Sequence, residues 1–303
     1  TGGKTSLSYN GNISFSTVKK KLDVLNTNEY IDFMGKAFGY THEEFLASPE
    51  YAALGWRDAE GNQHLADTDW QNQIFRTVVN TDHNLTLSGS VWQVPYRVSV
   101  GYTIQNGILE GSDFERLTGS MNLSPTLLDN HLKLKINLKG MYSETSNTDA
   151  GAVIENAISM DPTKPIRATH SEFYNKNYAG YWQWPIQVNR NDNEWRYGVN
   201  TLAPANPVSM VNLASDKGRS QRWMGNIEAT YQIHGLEDLS LHLNMGMDLG
   251  QGKSRRNKSP YYYDSGVYYY GNRGWNSMRT SNHTLSLYTQ YTKQFDKNQH
   301  FDV

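Results

Sequence analysis

Residues 236–250, LEDLSLHLNMGMDLG, set Leu239, Leu241, Leu243, Met245, Met247 and Leu249 on one side of an extended chain. Ser240, His242, Asn244, Gly246 and Asp248 fall on the other. Period-two alternation marks a strand with one apolar face. The pattern recurs in 5–16, 83–91, 95–104, 114–123, 131–142, 222–233 and 283–295. These segments predict eight strands of roughly 9–13 residues, about twice the usual soluble strand, and His300-Phe301 opens a ninth. In 131–142 the apolar side holds Leu132, Leu134, Ile136 and Leu138, and the polar side Lys133, Lys135, Asn137 and Lys139. In 222–233 Ile227 opposes Asn226, Glu228 and Thr230, and in 283–295 Leu285 and Leu287 oppose Thr284 and Ser286.

The connections alternate as well. Tight links join the strands near 91–96, 124–131, 233–238 and 295–300, while 17–76, 147–218 and 253–279 are long and rich in Asn, Gly, Pro and Tyr. Only the link near 105–112 breaks the alternation by being short. In an up-and-down sheet alternate connections lie on opposite rims, so one rim carries turns and the other long loops, as in outer-membrane barrels. Two loops also predict helices. Asn26 with Glu29, and Thr41 with Glu44, are capping-box pairs ahead of apolar residues at helical spacing. AVIENAISM reads as a short helix stopped by Pro162 and Pro165.

The medium facing the apolar rows decides the fold. A soluble β-sandwich or barrel also alternates. Strand length, rim asymmetry and aromatics at the row ends favour a membrane: Tyr9 and Phe15, Tyr96 and Tyr102, Trp223 and Tyr231, Tyr291 and Phe295. A bilayer crossing takes about 9–11 tilted residues, and barrels ring both interfaces with aromatics. The expected fold is therefore all-β, an antiparallel transmembrane barrel in part. Leu134, Ile136, Leu138, Ile227, Leu241, Leu243, Met245, Leu285 and Leu287 are expected to face lipid. Lys133, Lys135, Asn137, Asn226, Glu228, Thr230, His242 and Asn244 are expected to face the lumen.

Composition narrows the chemistry. A hydrophobic share of 37% over 303 residues is low for one large soluble core. No stretch approaches the 18–20 apolar residues of a membrane helix, which does not count against strands. The absence of cysteine removes disulfides and thiol chemistry, and a net charge of -2 argues against nucleic-acid binding. The chain opens on TGGKTSLSYNG and closes on HFDV in mid-pattern, so it is expected to be a segment of something larger.

Two stretches, DTDWQNQIFRT (67–77) and HNLTLSGSV (83–91), resemble a signature of SusC/RagA-type TonB-linked outer-membrane proteins of Bacteroidetes. PYRVSVGYTIQNGILEGSDFERLTGSMNLSP (95–125), HLKLKINLKGMYSETS and NAISMDPTKPI extend the resemblance. TGGKTSLSYNGNISFSTVKKKLDVLNTNEYIDFM is similar to the junction of plug and barrel in that family. The likeness is strong over 5–165 and looser over 166–217. It implies a barrel of 22 strands around a plug, driven through TonB, with a SusD-like surface lipoprotein over the mouth and oligosaccharide, or sometimes peptide, as cargo. On that basis residues 1–4 end the plug junction and 5–303 form the first eight or nine strands in the outer membrane. The TonB-contacting segment, nearly all the plug and the later strands lie outside the chain. The segment alone is expected to transport nothing.

No catalytic constellation, cofactor motif or metal-ligand spacing stands out, and the nine histidines are scattered. Asp248 and Glu228 share the polar side, with an acid–base pair and a hydrated wall as the two readings. Lys133, Lys135 and Lys139 form a basic row, read either as solvated wall or as a contact for the plug or an anionic solute. Candidate ligand contacts are loop aromatics: Tyr181, Trp182, Trp184 and Trp195 in one cluster, Tyr262, Tyr269 and Trp275 in another. Sugar C–H faces rest on such rings, although the same rings could pack the loops or meet a lid. The expected function is a segment of an active glycan importer, with peptide or siderophore import, a soluble surface-binding module and a polysaccharide-cleaving enzyme as alternatives.

Overall fold

The computed structural model describes residues 4–303 except 59, 93, 190–194, 201, 263–269 and 297–298. Strand β1 (Ser6–Ser16) leads into helices α1 (Thr27–Phe38), α2 (His42–Leu46) and α3 (Pro49–Ala52), a small hairpin β2 (Trp56–Arg57) and β3 (Gln63–His64), and α4 (Trp70–Ile74). Strands β4 (Val78–Val91), β5 (Val94–Asn106), β6 (Asp113–Leu123), β7 (Thr126–Leu127) and β8 (Leu132–Asn147) follow. The next loop holds α5 (Ala150–Ser159), α6 (Glu172–Tyr178), hairpin β9 (Pro185–Asn189) and β10 (Trp195–Val199), and α7 (Pro207–Asn212). Then come β11 (Ala214–Ile233), β12 (Leu236–Lys258), β13 (Asn272–Asp296) and β14 (Gln299–Asp302).

The large sheet runs in the order β1-β4-β5-β6-β8-β11-β12-β13-β14, all antiparallel, with short β7 attached to β8. The fold class is thus the expected one, an antiparallel all-β segment. The register keeps the predicted rows intact. Ile136 faces Ile227, which faces Met245, which faces Leu285. One row nearer the turns, Leu134, Ala229, Leu243 and Leu287 stand side by side. Directly paired residues project to the same face, so each row is continuous across four strands.

Strand length departs from expectation. β11, β12 and β13 have 20, 23 and 25 residues, and the loops shrink to 148–213 and 259–271. The reason is that alternation reports the medium and not the pairing. On β8 the apolar face carries Leu132, Leu134, Ile136, Leu138, Gly140 and Tyr142, then turns polar at Glu144, which pairs in register with Arg219 and Glu115. Ten residues at about 3.4 Å, tilted about 45°, give a band about 24 Å tall, the height of the apolar belt of a membrane barrel. Beyond it the backbone ladder continues with polar side chains on both faces.

Among the described residues none packs over the apolar face. Leu285 and Leu287 are 70% and 65% exposed, and neither buried hydrophobic cluster of the molecule includes a side chain of these rows. The main core lies instead among the long loops. It gathers Trp70, Ile74, Leu109, Val153, Tyr178, Trp182, Met210 and Tyr262 from four separate connections on one rim. The predicted helices form there: Asn26/Glu29 and Thr41/Glu44 close reciprocal capping boxes on α1 and α2, and α5 stops before Pro162.

One glycine on the apolar face is required by its neighbour. A Cβ on Gly140 would lie 2.6 Å from the ring of Trp223, its Cα partner on β11. The indole covers the backbone that glycine leaves bare, a cross-strand rescue that pins register. Gly140→Val is expected to displace the ring and cost about 1 kcal/mol. The same substitution in a Trp223→Ala background should cost nothing, and thermal unfolding of the four proteins measures the difference.

Candidate functional site

The polar face of the strands is an ordered set of hydrogen bonds and ion pairs. Lys135, Glu228 and Asn244 share one row, with Lys135 Nζ 3.7 Å from Glu228 Oε2. Asn226 Nδ2 donates to Glu228 Oε1 at 2.9 Å, and Asn137 lies opposite Asn226. In the next row stand Lys133, Thr230 and His242. The imidazole of His242 stacks on Tyr288 at 4.7 Å between centroids and lies 3.2 Å from Thr230 Oγ1 and 2.8 Å from Ser240 Oγ. Nearer the loops Arg222 grips Asp248 with two hydrogen bonds of 2.8 and 2.6 Å, and Arg256 pairs with Asp216 at 2.9 Å. Asp248 and Glu228 are therefore each held by a separate cation and stand four residues apart along the sheet, which is wall chemistry and not an acid–base dyad. Among the described residues no group of His, Asp and Glu could hold a metal ion.

The loop unit is the second part of the site, and its aromatics are mostly structural. Trp182 is 5% exposed, Tyr181 3% and Tyr262 4%, all inside or beside the loop core. Tyr181 takes a hydrogen bond from Arg167 Nη2 at 2.6 Å, with the guanidinium 4.1 Å above its ring. Trp184 is half-buried, edge-on to Trp182 at 4.7 Å, and its Nε1–H has no partner among the described residues. Burial holds the Tyr178 and Tyr174 hydroxyls protonated, the latter pushed up to about 12. Trp275 lies in β13 and not in a loop: it faces Arg255 across the ladder, on the same side as Leu285, and is 81% exposed. That side is turned away from the polar wall. The Trp195 backbone opens β10, opposite Asn189, while its side chain and all of Tyr269 lie outside the described residues.

Sequence reasoning passed over the residue that ties the loops together. Lys164, 2% exposed, donates to the carbonyls of Ala53 at 3.0 Å and Gly55 at 2.8 Å, more than a hundred positions earlier in the chain. Its ammonium lies against the Trp182–Trp184 pair, 5.1 and 4.7 Å from the two ring centroids, and 3.7 Å from Asp161. Burial lowers its pKa, and the Asp161 carboxylate opposes that shift. Thr163 Oγ1 receives Gly55 N–H at 2.9 Å and donates to Asp161 Oδ1 at 2.7 Å, while Trp70 Nε1 donates to Asp161 O at 3.0 Å. The signal was present in MDPTKP, where a lysine sits between two prolines beside an aspartate.

No family model matches the chain. The TonB-dependent receptor SusC of Bacteroides thetaiotaomicron is 36% identical over 306 residues, covering all of this chain and 28% of the receptor. The TonB-dependent receptor P3 of Formosa agariphila is 24% identical over 249 residues, 78% of this chain and 20% of that protein. Among solved structures, the RagAB peptide importer in its closed-closed state matches with a TM-score of 0.66 at 17% identity, over 100% of this chain and 34% of that one. Its open-open state matches with a TM-score of 0.65 over 98% and 34%. The chain thus spans between a fifth and a third of the proteins it matches. Alignment along its entire length, the strand order and the two unlike rims agree: the chain is a SusC/RagA-type segment of a TonB-dependent receptor.

Proposed function

We propose that this chain is the first part of the barrel wall of an outer-membrane, TonB-dependent importer, with residues 1–4 closing the plug junction and 5–303 belonging to the barrel. The observation that carries the reading is the uncovered apolar band, about 24 Å tall, flanked by polar rows. On this reading Leu134, Ile136, Leu138, Ile227, Leu241, Leu243, Met245, Leu285 and Leu287 meet lipid. Lys133, Lys135, Asn137, Asn226, Glu228, Thr230, His242 and Asn244 line the lumen and face the plug. The loop unit forms part of the extracellular mouth, where a surface lipoprotein would seat, and TonB acts through parts of the protein beyond this segment.

We take the cargo to be an oligosaccharide. The exposed rings of Tyr197, Tyr261 and Tyr270, with half-buried Trp184, are the surface that would carry its C–H faces. Tyr181, Trp182 and Tyr262 support the mouth from within the loop core. A peptide is the second reading, favoured by fold similarity to RagAB, a peptide importer. Uptake of labelled oligosaccharides and peptides by cells carrying the full-length receptor separates the two. Tyr261→Ala with Tyr270→Ala should reduce oligosaccharide uptake several-fold with unchanged receptor level in the membrane. Peptide uptake alone would reverse the cargo assignment, and recovery of the receptor in the aqueous phase would remove the importer reading itself.

A further inference from the structure

The two faces of the long strands treat their charges differently. On the polar face Lys135, Arg222 and Arg256 each lie within 4.0 Å of a carboxylate. On the apolar-side face, at and beyond the edge of the apolar band, stand Lys217, Arg219, Lys253, Arg255, Arg273 and Arg279, all exposed. Of these, Arg219 pairs with Glu144 at 3.1 Å, and the other five make no ion pair among the described residues. The register makes the arrangement more costly. Lys217 lies directly opposite Arg255, and Arg219 directly opposite Lys253. Like charges in such cross-strand positions, with Cβ atoms about 4.5–5.5 Å apart, repel each other and destabilise a bare sheet. Three carboxylates, Asp113, Glu115 and Glu144, share this face, all on the β6–β8 side of the cluster, and Asp113 is already paired with Arg76.

The height of the cluster identifies what would neutralise it. Arg279 sits level with Gln221, Gln251 and Tyr142, in the row at the edge of the apolar band. Arg219 and Lys253 stand one row higher, and Lys217 and Arg255 two rows higher. With about 7 Å between rows along a strand tilted about 45°, Arg219, Lys253, Lys217 and Arg255 lie about 5–10 Å beyond the hydrocarbon edge, the depth of lipid headgroups. Below and to the β6–β8 side, beneath Glu115 and Glu144, is a shallow apolar depression of about 700 Å³, bounded by Val100, Leu117, Met121, Leu138 and Trp223. It is open at Gly119, which faces Gly140 across β6 and β8 and has nothing within 4 Å of where a Cβ would be, while the Trp223 ring over Gly140 forms its wall. Trp275, beside Arg255, supplies the exposed indole typical of a membrane interface.

We propose that this outer-wall cluster binds the phosphate groups of a glycolipid of the outer leaflet, with an acyl chain seated in the Gly119–Gly140 depression. The inference rests on the membrane-barrel reading above. Phosphate oxygens accept charge-assisted hydrogen bonds from Lys and Arg, and a bis-phosphorylated headgroup would offset the opposed pairs Lys217/Arg255 and Arg219/Lys253 together.

The test uses the full-length receptor extracted from outer membranes in detergent, with bis-phosphorylated lipid A and its dephosphorylated form as probes. Bound lipid is counted by native mass spectrometry. The wild type is expected to retain the phosphorylated form and release it as salt rises. Replacing Lys217, Lys253, Arg255 and Arg279 together by Gln should lower retention about tenfold or more, whereas Lys133→Gln with Lys139→Gln on the polar face should not. Once lipid is stripped, the fourfold variant should unfold at no lower a temperature than wild type, since repulsion has been removed. If it does not fold, Lys253→Gln and Arg255→Gln singly should each lower retention several-fold. Equal retention by wild type and variants, or equal retention of the dephosphorylated form, overturns the proposal. So does displacement of lipid A by inorganic phosphate at matched concentration, which would mark a free-phosphate site. In each case a receptor that still requires detergent and shows a heat-modifiable barrel leaves the importer reading standing.

Discussion

Arginine placed at Ile136 or Met245 is expected to cost about 2–4 kcal/mol of barrel stability, and at Asn137 or Asn244 a small fraction of that. The two kinds of site are sequence neighbours on the same strands, with the same backbone pairing and similar accessibility in this segment. Only the medium differs. Ile136, Ile227, Met245 and Leu285 form the row just on the turn side of the middle of the six-row band counted along β8, with Leu138 and Met247 on the other side of the middle. A guanidinium there must either lose its hydration or draw headgroups and water inward, and neither interface is close. The cost should therefore fall with depth. Leu243, one row nearer the turns, should be less sensitive than Met245, and Leu241 less again. Denaturant unfolding of the reconstituted receptor with Arg scanned along β12 would show a sawtooth: high at 243, 245 and 247, low at 244 and 246. A flat profile would mean that water or protein touches both faces, and the membrane assignment would fall with it.

The parts of this architecture readable from sequence are those where one physical variable dominates. Along β8 and β12 each second residue is apolar, so polarity alone marks the strand and its two faces. Leu134, Ala229, Leu243 and Leu287 could each be placed on the apolar face of its strand, while the row they share is set by the pairing. The upper halves of β11, β12 and β13 were illegible for the converse reason: above the band both faces are wet, so Lys217, Arg219, Lys253 and Arg255 leave no period. Helix starts were readable because capping boxes are local, as at Asn26 and Thr41. The aromatic loops misled because a ring suits a sugar and a core equally. Trp182 and Tyr262 are buried by partners from loops about 15 to 190 residues distant, which no local pattern reports. Lys164 was missed in the same way, since its role lies in what surrounds it and not in its neighbours along the chain.

Lys164→Ala is expected to cost about 3–5 kcal/mol within the loop unit while leaving the strands intact. The lysine joins two connections that share no strand. Its ammonium donates to Ala53 and Gly55 in the first, and its own segment is held by Thr68, whose Oγ1 donates to Lys164 O at 2.8 Å, and by Ala66, whose N–H donates to Thr163 O at 2.9 Å. Truncation would leave the buried Gly55 carbonyl and the partly buried Ala53 carbonyl without this donor, deprive the Asp161 carboxylate of its countercharge, and open a void beside Trp182 and Trp184. Lys164→Met separates these effects. It refills the void but restores neither charge nor hydrogen bonds, so it should recover only part of the loss, with about 1–3 kcal/mol remaining for the unsatisfied groups. Hydrogen exchange on the full-length receptor reads the two regions separately. Amides of α4, α5 and α7 should lose protection in Lys164→Ala, while those of β8, β11 and β12 keep theirs, because the ladder depends on backbone pairing and lipid and not on the loop core. Loss of protection in both regions would mean that the loop unit supports the wall. Loss in neither would mean that Lys164 is a spectator and that the aromatic cage around it holds without a cation.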